Sequence, residues 1–122
     1  MNWLQQALWW GSLLIGSSHI IAFSLPQAET LKVVIFSKGR QVQECTIAPG
    51  SIKQKKLSLW FSQNAKSWSA TAATYAPNVQ VSGQKFSVNF RDSSAILNYD
   101  RGQYFHAAGL SDYAYLLCDD RI

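Results

Sequence analysis

The chain has 122 residues, 48% of them hydrophobic, with 11 basic against 7 acidic side chains and a formal net charge of +4. That length, without a repeat, linker or low-complexity tract, excludes a second folded domain. Two cysteines with no close Cys/His spacing such as Cys-x2-Cys exclude a cysteine-based zinc centre.

The first 28 residues, Met1 to Ala28, contain no Asp, Glu, Lys or Arg. Ala7 to Ile15 is an apolar run of the length a secretory signal needs, and Ala22-Phe23-Ser24 places small residues ahead of a cut before Leu25. A cut after Ala28 would put Pro26 three positions before the scissile bond, which is less favourable. The stretch ahead of the apolar run lacks Lys and Arg, so a retained membrane anchor is the alternative. Trp3 to Phe23 spans 21 positions, and about 20 suffice to cross a bilayer. Gln5, Gln6, Ser12, Ser17, Ser18 and His19 interrupt that stretch, however, and lipid tolerates such groups poorly. A buried N-terminal helix of the domain is the third reading. We expect residues 1–24 to be an export signal and 25–122 a single β-rich domain, periplasmic or extracellular. If the segment is retained, it tethers the domain to a membrane, facing out of the cytoplasm.

Removing 24 residues from 122 leaves 98, enough for one core with a thin margin. Cys45 and Cys118 admit only one pairing, and in an exported chain they are expected to form a disulfide. It would close a loop of 73 residues, a constraint worth on the order of 4 kcal/mol in the chain-entropy model.

Downstream of residue 28 the apolar pattern has period two. Leu31 to Phe36 is rich in β-branched residues. Phe86, Val88 and Phe90 alternate with Ser87 and Asn89, and Tyr113, Tyr115 and Leu117 alternate with Ala114, Leu116 and Cys118. Turn signals at near-regular intervals separate these runs, among them Lys38-Gly39-Arg40, Pro49-Gly50, Gln63-Asn64, Pro77-Asn78, Ser82-Gly83, Asp92-Ser93-Ser94 and Asp100-Arg101-Gly102. This spacing predicts an all-β fold, a small antiparallel sandwich or barrel of about eight short strands. The strands are expected at 30–37, 41–47, 52–61, 67–75, 79–82, 85–91, 95–99 and 103–107, with 113–118 closing as a ninth.

Charge is unevenly distributed. Between Thr30 and Lys85 eight basic residues face Glu44 alone, whereas from Phe86 onward three arginines face five aspartates. Lys53, Lys55 and Lys56 form the densest basic cluster, with Trp60 and Trp68 nearby in sequence; these five are the candidate binding residues. Such a patch suits an acidic protein partner, anionic lipid, an acidic polysaccharide or nucleic acid. Outside the cytoplasm nucleic acid is a poor partner, and a membrane enters only if the N-terminal segment is retained. The competing structural explanations are solvated lysines that discourage edge-to-edge pairing, and tryptophans packed in the core.

No catalytic constellation stands out. His106 lies among apolar residues, as a structural histidine does, and adjacent Asp119 and Asp120 would point to opposite faces of a strand. There is no nucleophile elbow, metalloprotease helix or phosphate-cradling glycine loop. We therefore expect no enzyme activity, no cofactor and no metal.

Ser82-Gly83-Gln84-Lys85-Phe86 resembles, over these five residues, the Ser-Gly-x-x-Tyr loop of the periplasmic lysozyme inhibitors, small β-barrels that also pair an early with a late cysteine. The lysine-glycine motif that follows it in that family has no counterpart at a matching distance, because Ala108-Gly109 lies too far on and lacks the lysine. The resemblance does not assign the chain to that family. The leading expectation is a small exported, disulfide-stapled domain that binds another protein, as an inhibitor, immunity protein or secreted effector. The alternatives are an anchored structural subunit of an envelope or secretion assembly, and a carbohydrate- or lipid-binding module that uses the tryptophans.

Overall fold

A computed structural model describes residues 18–72 and 75–118. Its strands are β1 (Ser18–His19), β2 (Leu31–Ser37), β3 (Arg40–Ile47), β4 (Trp68–Ala70), β5 (Val79–Ser82), β6 (Phe86–Arg91), β7 (Ser94–Tyr99) and β8 (Gly102–Ala107). Helix α1 (Ile52–Gln63) follows β3, and the short helix α2 (Leu110–Tyr113) runs into a 3-10 turn at Ala114–Leu116. All neighbouring strands are antiparallel, in the order β1-β4-β8-β7-β6-β5-β2-β3.

The all-β expectation holds for the sheet but not for the whole fold, which is mostly β and carries two helices. Six of the expected strands fall within a residue of β2, β3, β5, β6, β7 and β8. The hairpin turns explain why. Lys38 and Gly39 join β2 to β3 at φ 53° and 78°, and Asp100 and Arg101 join β7 to β8 at φ 48° and 65°. A two-residue connection with both φ values positive matches the twist of the strands it joins.

Three expectations are corrected. Residues 52–61 form a helix instead of a strand. Ser51 caps it by accepting from the Gln54 N–H at 3.2 Å, and Gln54, Leu57, Trp60 and Phe61 recur on its buried face at helical spacing. The Ser-x-x-Gln signature of a capping box was legible at Ser51-Ile52-Lys53-Gln54. Residues 113–118 do not form a strand either: Asp112 accepts from the Gly109 N–H at 2.7 Å and opens a helical turn over 110–113 that winds on as a 3-10 turn through Leu116. The strand expected at 67–75 stops at Ala70. The chain then leaves β8, passes the Tyr75 hydroxyl over Asn98, and joins β5 beyond Asn78. Among the described residues the strands form one sheet, not the two of a sandwich, and its end strands β1 and β3 do not pair to close a barrel; α1 packs on one face.

Cross-strand pairs define that face. Cys45, Val33, Val81, Val88, Leu97 and Tyr104 line up across six strands, and Leu31, Ile47, Val79, Phe86, Phe90, Ala95 and Trp68 join them in the core. Trp60 packs edge-on against Trp68 and Phe90, with ring centroids 6.0 and 5.6 Å away. Burying such side chains contributes about 1.5–3 kcal/mol each.

The segment ahead of β2 belongs to this core. Ile21 and Leu25 are buried, and the Phe23 ring lies 4.8 Å from Phe61, 5.0 Å from Phe86 and 5.3 Å from Tyr99. Most of the expected leader, residues 1–17, lies outside the described residues.

The opposite face is mixed, with polar residues beside buried Val34 and Ile96 and exposed Phe105. Lys32, Ser82, Ser87, Asn98 and Gln103 form a row across five strands. Beside it Gln80 donates to Asn89 at 2.8 Å, and Asn89 and Asn98 both donate to Ser87. At the sheet edge, β3 carries an extra residue near Val42 together with Arg40 and Glu44, which guard it against pairing with another strand.

Candidate functional site

Helix α1 lies in a trough between the two ends of the described chain, and each of its sides has a distinct task. On one flank, Gln54 is 1% exposed and donates to the Gln27 carboxamide oxygen at 2.9 Å, while Gln27 donates to Ser58 at 3.2 Å. Gln54 also accepts from the Gly50 N–H, so its buried amide is satisfied at both ends. On the other flank, Lys53 donates to the Leu117 carbonyl at 3.1 Å and the Lys56 ammonium stands 5.5 Å from the Tyr115 ring centroid. The latter is a cation–π distance.

These contacts account for two of the three candidate lysines. Lys53 and Lys56, three residues apart, hold the C-terminal turn that delivers Cys118. The disulfide joins that turn to β3: Cys45 and Cys118 are bonded with their Cα atoms 5.8 Å apart. Both cysteines are where the sequence pairs them, although Cys118 arrives from a helical turn and not from a strand.

Lys55 points elsewhere. With Ile52 and Leu59 it forms the outward stripe of α1, at positions i, i+3 and i+7 of the helix. Ile52 is 73% exposed and Leu59 55%. No acidic residue occurs anywhere in α1. Among the described residues the one ion pair is Arg91–Asp92, so no described carboxylate neutralises the helix lysines. Leu117, beside Lys53, is also exposed. The stripe is therefore apolar, basic and turned to solvent.

Trp60 and Trp68 lie in the core, at 7% and 0% exposure, so neither presents a ring face at the surface. His106 stands against them, 4.8 Å from the Trp68 ring and 6.1 Å from Trp60, with Nδ1 2.8 Å from the Ala107 carbonyl. Asp119 and Asp120 lie outside the described residues. Among the described residues no group of three His, Cys, Asp or Glu side chains converges as metal ligands, and no helix is long and apolar enough to cross a membrane.

The titration of Tyr115 is displaced. Burial pushes its hydroxyl from 10.0 up to about 12, and the Asp112 carboxylate adds to the effect. That hydroxyl is buried without a hydrogen-bond partner among the described residues.

Sequence reasoning located the lysines but not the stripe, because a strand at 52–61 would have alternated these residues between two faces. The capping signal at Ser51 and Gln54 could have found it.

No family model, curated protein or solved structure matches this chain.

Proposed function

We propose that the protein is an exported, disulfide-stapled binding domain that engages an acidic protein partner through the outward stripe of α1. In that role it acts as an inhibitor, immunity protein or secreted effector, by occupying a surface and not by catalysis. The observation that carries this reading is the exposure of Ile52 and Leu59 on one helix face with Lys55 between them. Apolar anchors ringed by charge are the usual composition of a protein-binding patch.

The placement of the lysines supports it. Lys53, Lys55 and Lys56 occupy the first five positions of α1, at the positive end of the helix dipole, and among the described residues no carboxylate pairs with them. Cations there cost roughly 0.3–1 kcal/mol each. Lys53 and Lys56 recover that cost through the C-terminal turn, and Lys55 does so only by meeting an acidic surface. A disulfide suits an oxidising compartment outside the cytoplasm, which agrees with an exported protein.

The test is affinity capture from the exported fraction of the producing organism with wild type, Ile52→Ser/Leu59→Ser and Lys55→Glu, all checked for an unchanged melting temperature. The expected result is one acidic protein recovered by wild type, lost with either variant and released by raised salt. Recovery of the same proteins by all three overturns the reading.

A further inference from the structure

The apolar leader raises the question of where an exporting cell would cut it, and the fold bears on the answer. A cut before Leu25 discards residues that the core uses. Ile21 is 6% exposed, and its N–H donates to the Ala65 carbonyl at 3.0 Å. The Ala22 N–H donates to the Tyr99 hydroxyl at 3.1 Å. Phe23 contacts three aromatic rings from α1, β6 and β7. A cut after Ala28 discards still more: buried Leu25, the Pro26 carbonyl and the Gln27 amide that satisfies Gln54. Either product must fold without the strip of chain that closes one side of the helix trough.

One stretch upstream meets the chemical demands of a signal-peptidase site and spares the core. The apolar run Ala7 to Ile15 is followed at once by Gly16-Ser17-Ser18. Gly16 and Ser18 stand at −3 and −1 relative to the Ser18–His19 bond, where the peptidase requires small side chains. Cutting one bond earlier puts Ile15 at −3, and one bond later puts His19 at −1. The new terminus falls in β1, whose pairing is the short one at the sheet edge: His19 opposite Trp68 is kept and only Ser18 opposite Ser69 is lost.

We propose that the leader is cleaved between Ser18 and His19, so that the mature domain begins at His19 and keeps Ile21, Phe23 and Leu25 in its core. Water adds across that peptide bond, leaving the carboxylate on Ser18 and a free amino group on His19. The proposal rests on the reading of the leader as an export signal, and it is independent of which partner α1 binds.

The test expresses the full chain in a secreting host and reads the N-terminus and intact mass of the exported protein, for wild type, Ser18→Leu and Ser24→Leu. Ser24 is exposed, so a leucine there leaves the core intact. Wild type should begin at His19. Ser18→Leu should accumulate as precursor, while Ser24→Leu should be processed like wild type. A wild-type terminus at Leu25 or Glu29, or a block by Ser24→Leu instead of Ser18→Leu, overturns the cleavage site while leaving export intact. A chain that keeps Met1 overturns export itself together with the site. A further variant, Phe23→Ala, checks the packing premise: its melting temperature should fall by about 10 °C or more, and an unchanged value overturns the argument from the core.

Discussion

Cys45 and Cys118 stand 73 residues apart in sequence, and their bond joins the outermost long strand to the last helical turn. Between them run α1 and five of the eight strands, so the bond closes the fold around the helix that carries the candidate surface. The chain-entropy model assigns such a closure about 4 kcal/mol. Reduction, or Cys45→Ser with Cys118→Ser, should lower the melting temperature by at least about 10 °C, and calorimetry with and without reductant reads it directly. Because Lys53 and Lys56 also hold the turn, α1 should keep its helical circular-dichroism signal below the new midpoint.

Gln54 is the other tie on the helix. Its buried amide bonds Gly50 on one side and Gln27 on the other. Gln54→Leu keeps the volume but leaves the Gly50 N–H and the Gln27 amide without that partner, at a cost of about 1–3 kcal/mol. Chemical denaturation should show a lower midpoint with an unchanged slope.

Tyr115 makes alkaline stability a second readout. Its folded pKa of about 12 lies above the ordinary 10.0, so above pH 10 the unfolded chain releases this proton while the folded chain still holds it. Its contribution is complete below pH 10 and is lost as pH rises toward 12. Tyr115→Phe removes this alkaline loss and also the hydroxyl that lacks a partner among the described residues. The variant should match or exceed wild type at pH 7 and fall less steeply between pH 10 and 12 in thermal melts.

The β7–β8 turn holds strain that can be relieved. Arg101 sits at φ 65°, in the left-handed region that a side chain disfavours. Arg101→Gly converts the turn to Asp-Gly, the pair such connections favour, and should stabilise by about 1 kcal/mol. Denaturant titration would detect the shift, with no effect on capture through α1, since Arg101 is no part of the α1 stripe.

Much of this molecule is legible in its sequence because the signals are local. Period-two runs mark β5 and β6, turn residues bound β7 and β8, and two cysteines allow a single pairing. Where local signals compete, tertiary structure decided. Ser51-Ile52-Lys53-Gln54 and Leu57-Trp60-Phe61 carry a helical cap and a helical period, yet Trp60 and Phe61 are also strand formers. They lie in a helix because a sheet with one apolar face needs a cover for it. By composition Phe23 belongs with the apolar leader, and only its ring contacts with Phe61, Phe86 and Tyr99 show it packed against the core.

The same division holds for the candidate surface. From its residues alone the chain determined a basic, glutamate-poor segment, a disulfide and a mostly β fold, since charge, cysteine count and alternation are properties of short windows. Which lysine faces outward, and that both tryptophans are buried while Ile52 and Leu59 are exposed, was decided only by the placement of α1 between the two ends of the described chain. Such long-range packing brings residues dozens of positions apart into contact, and no short window of sequence records it.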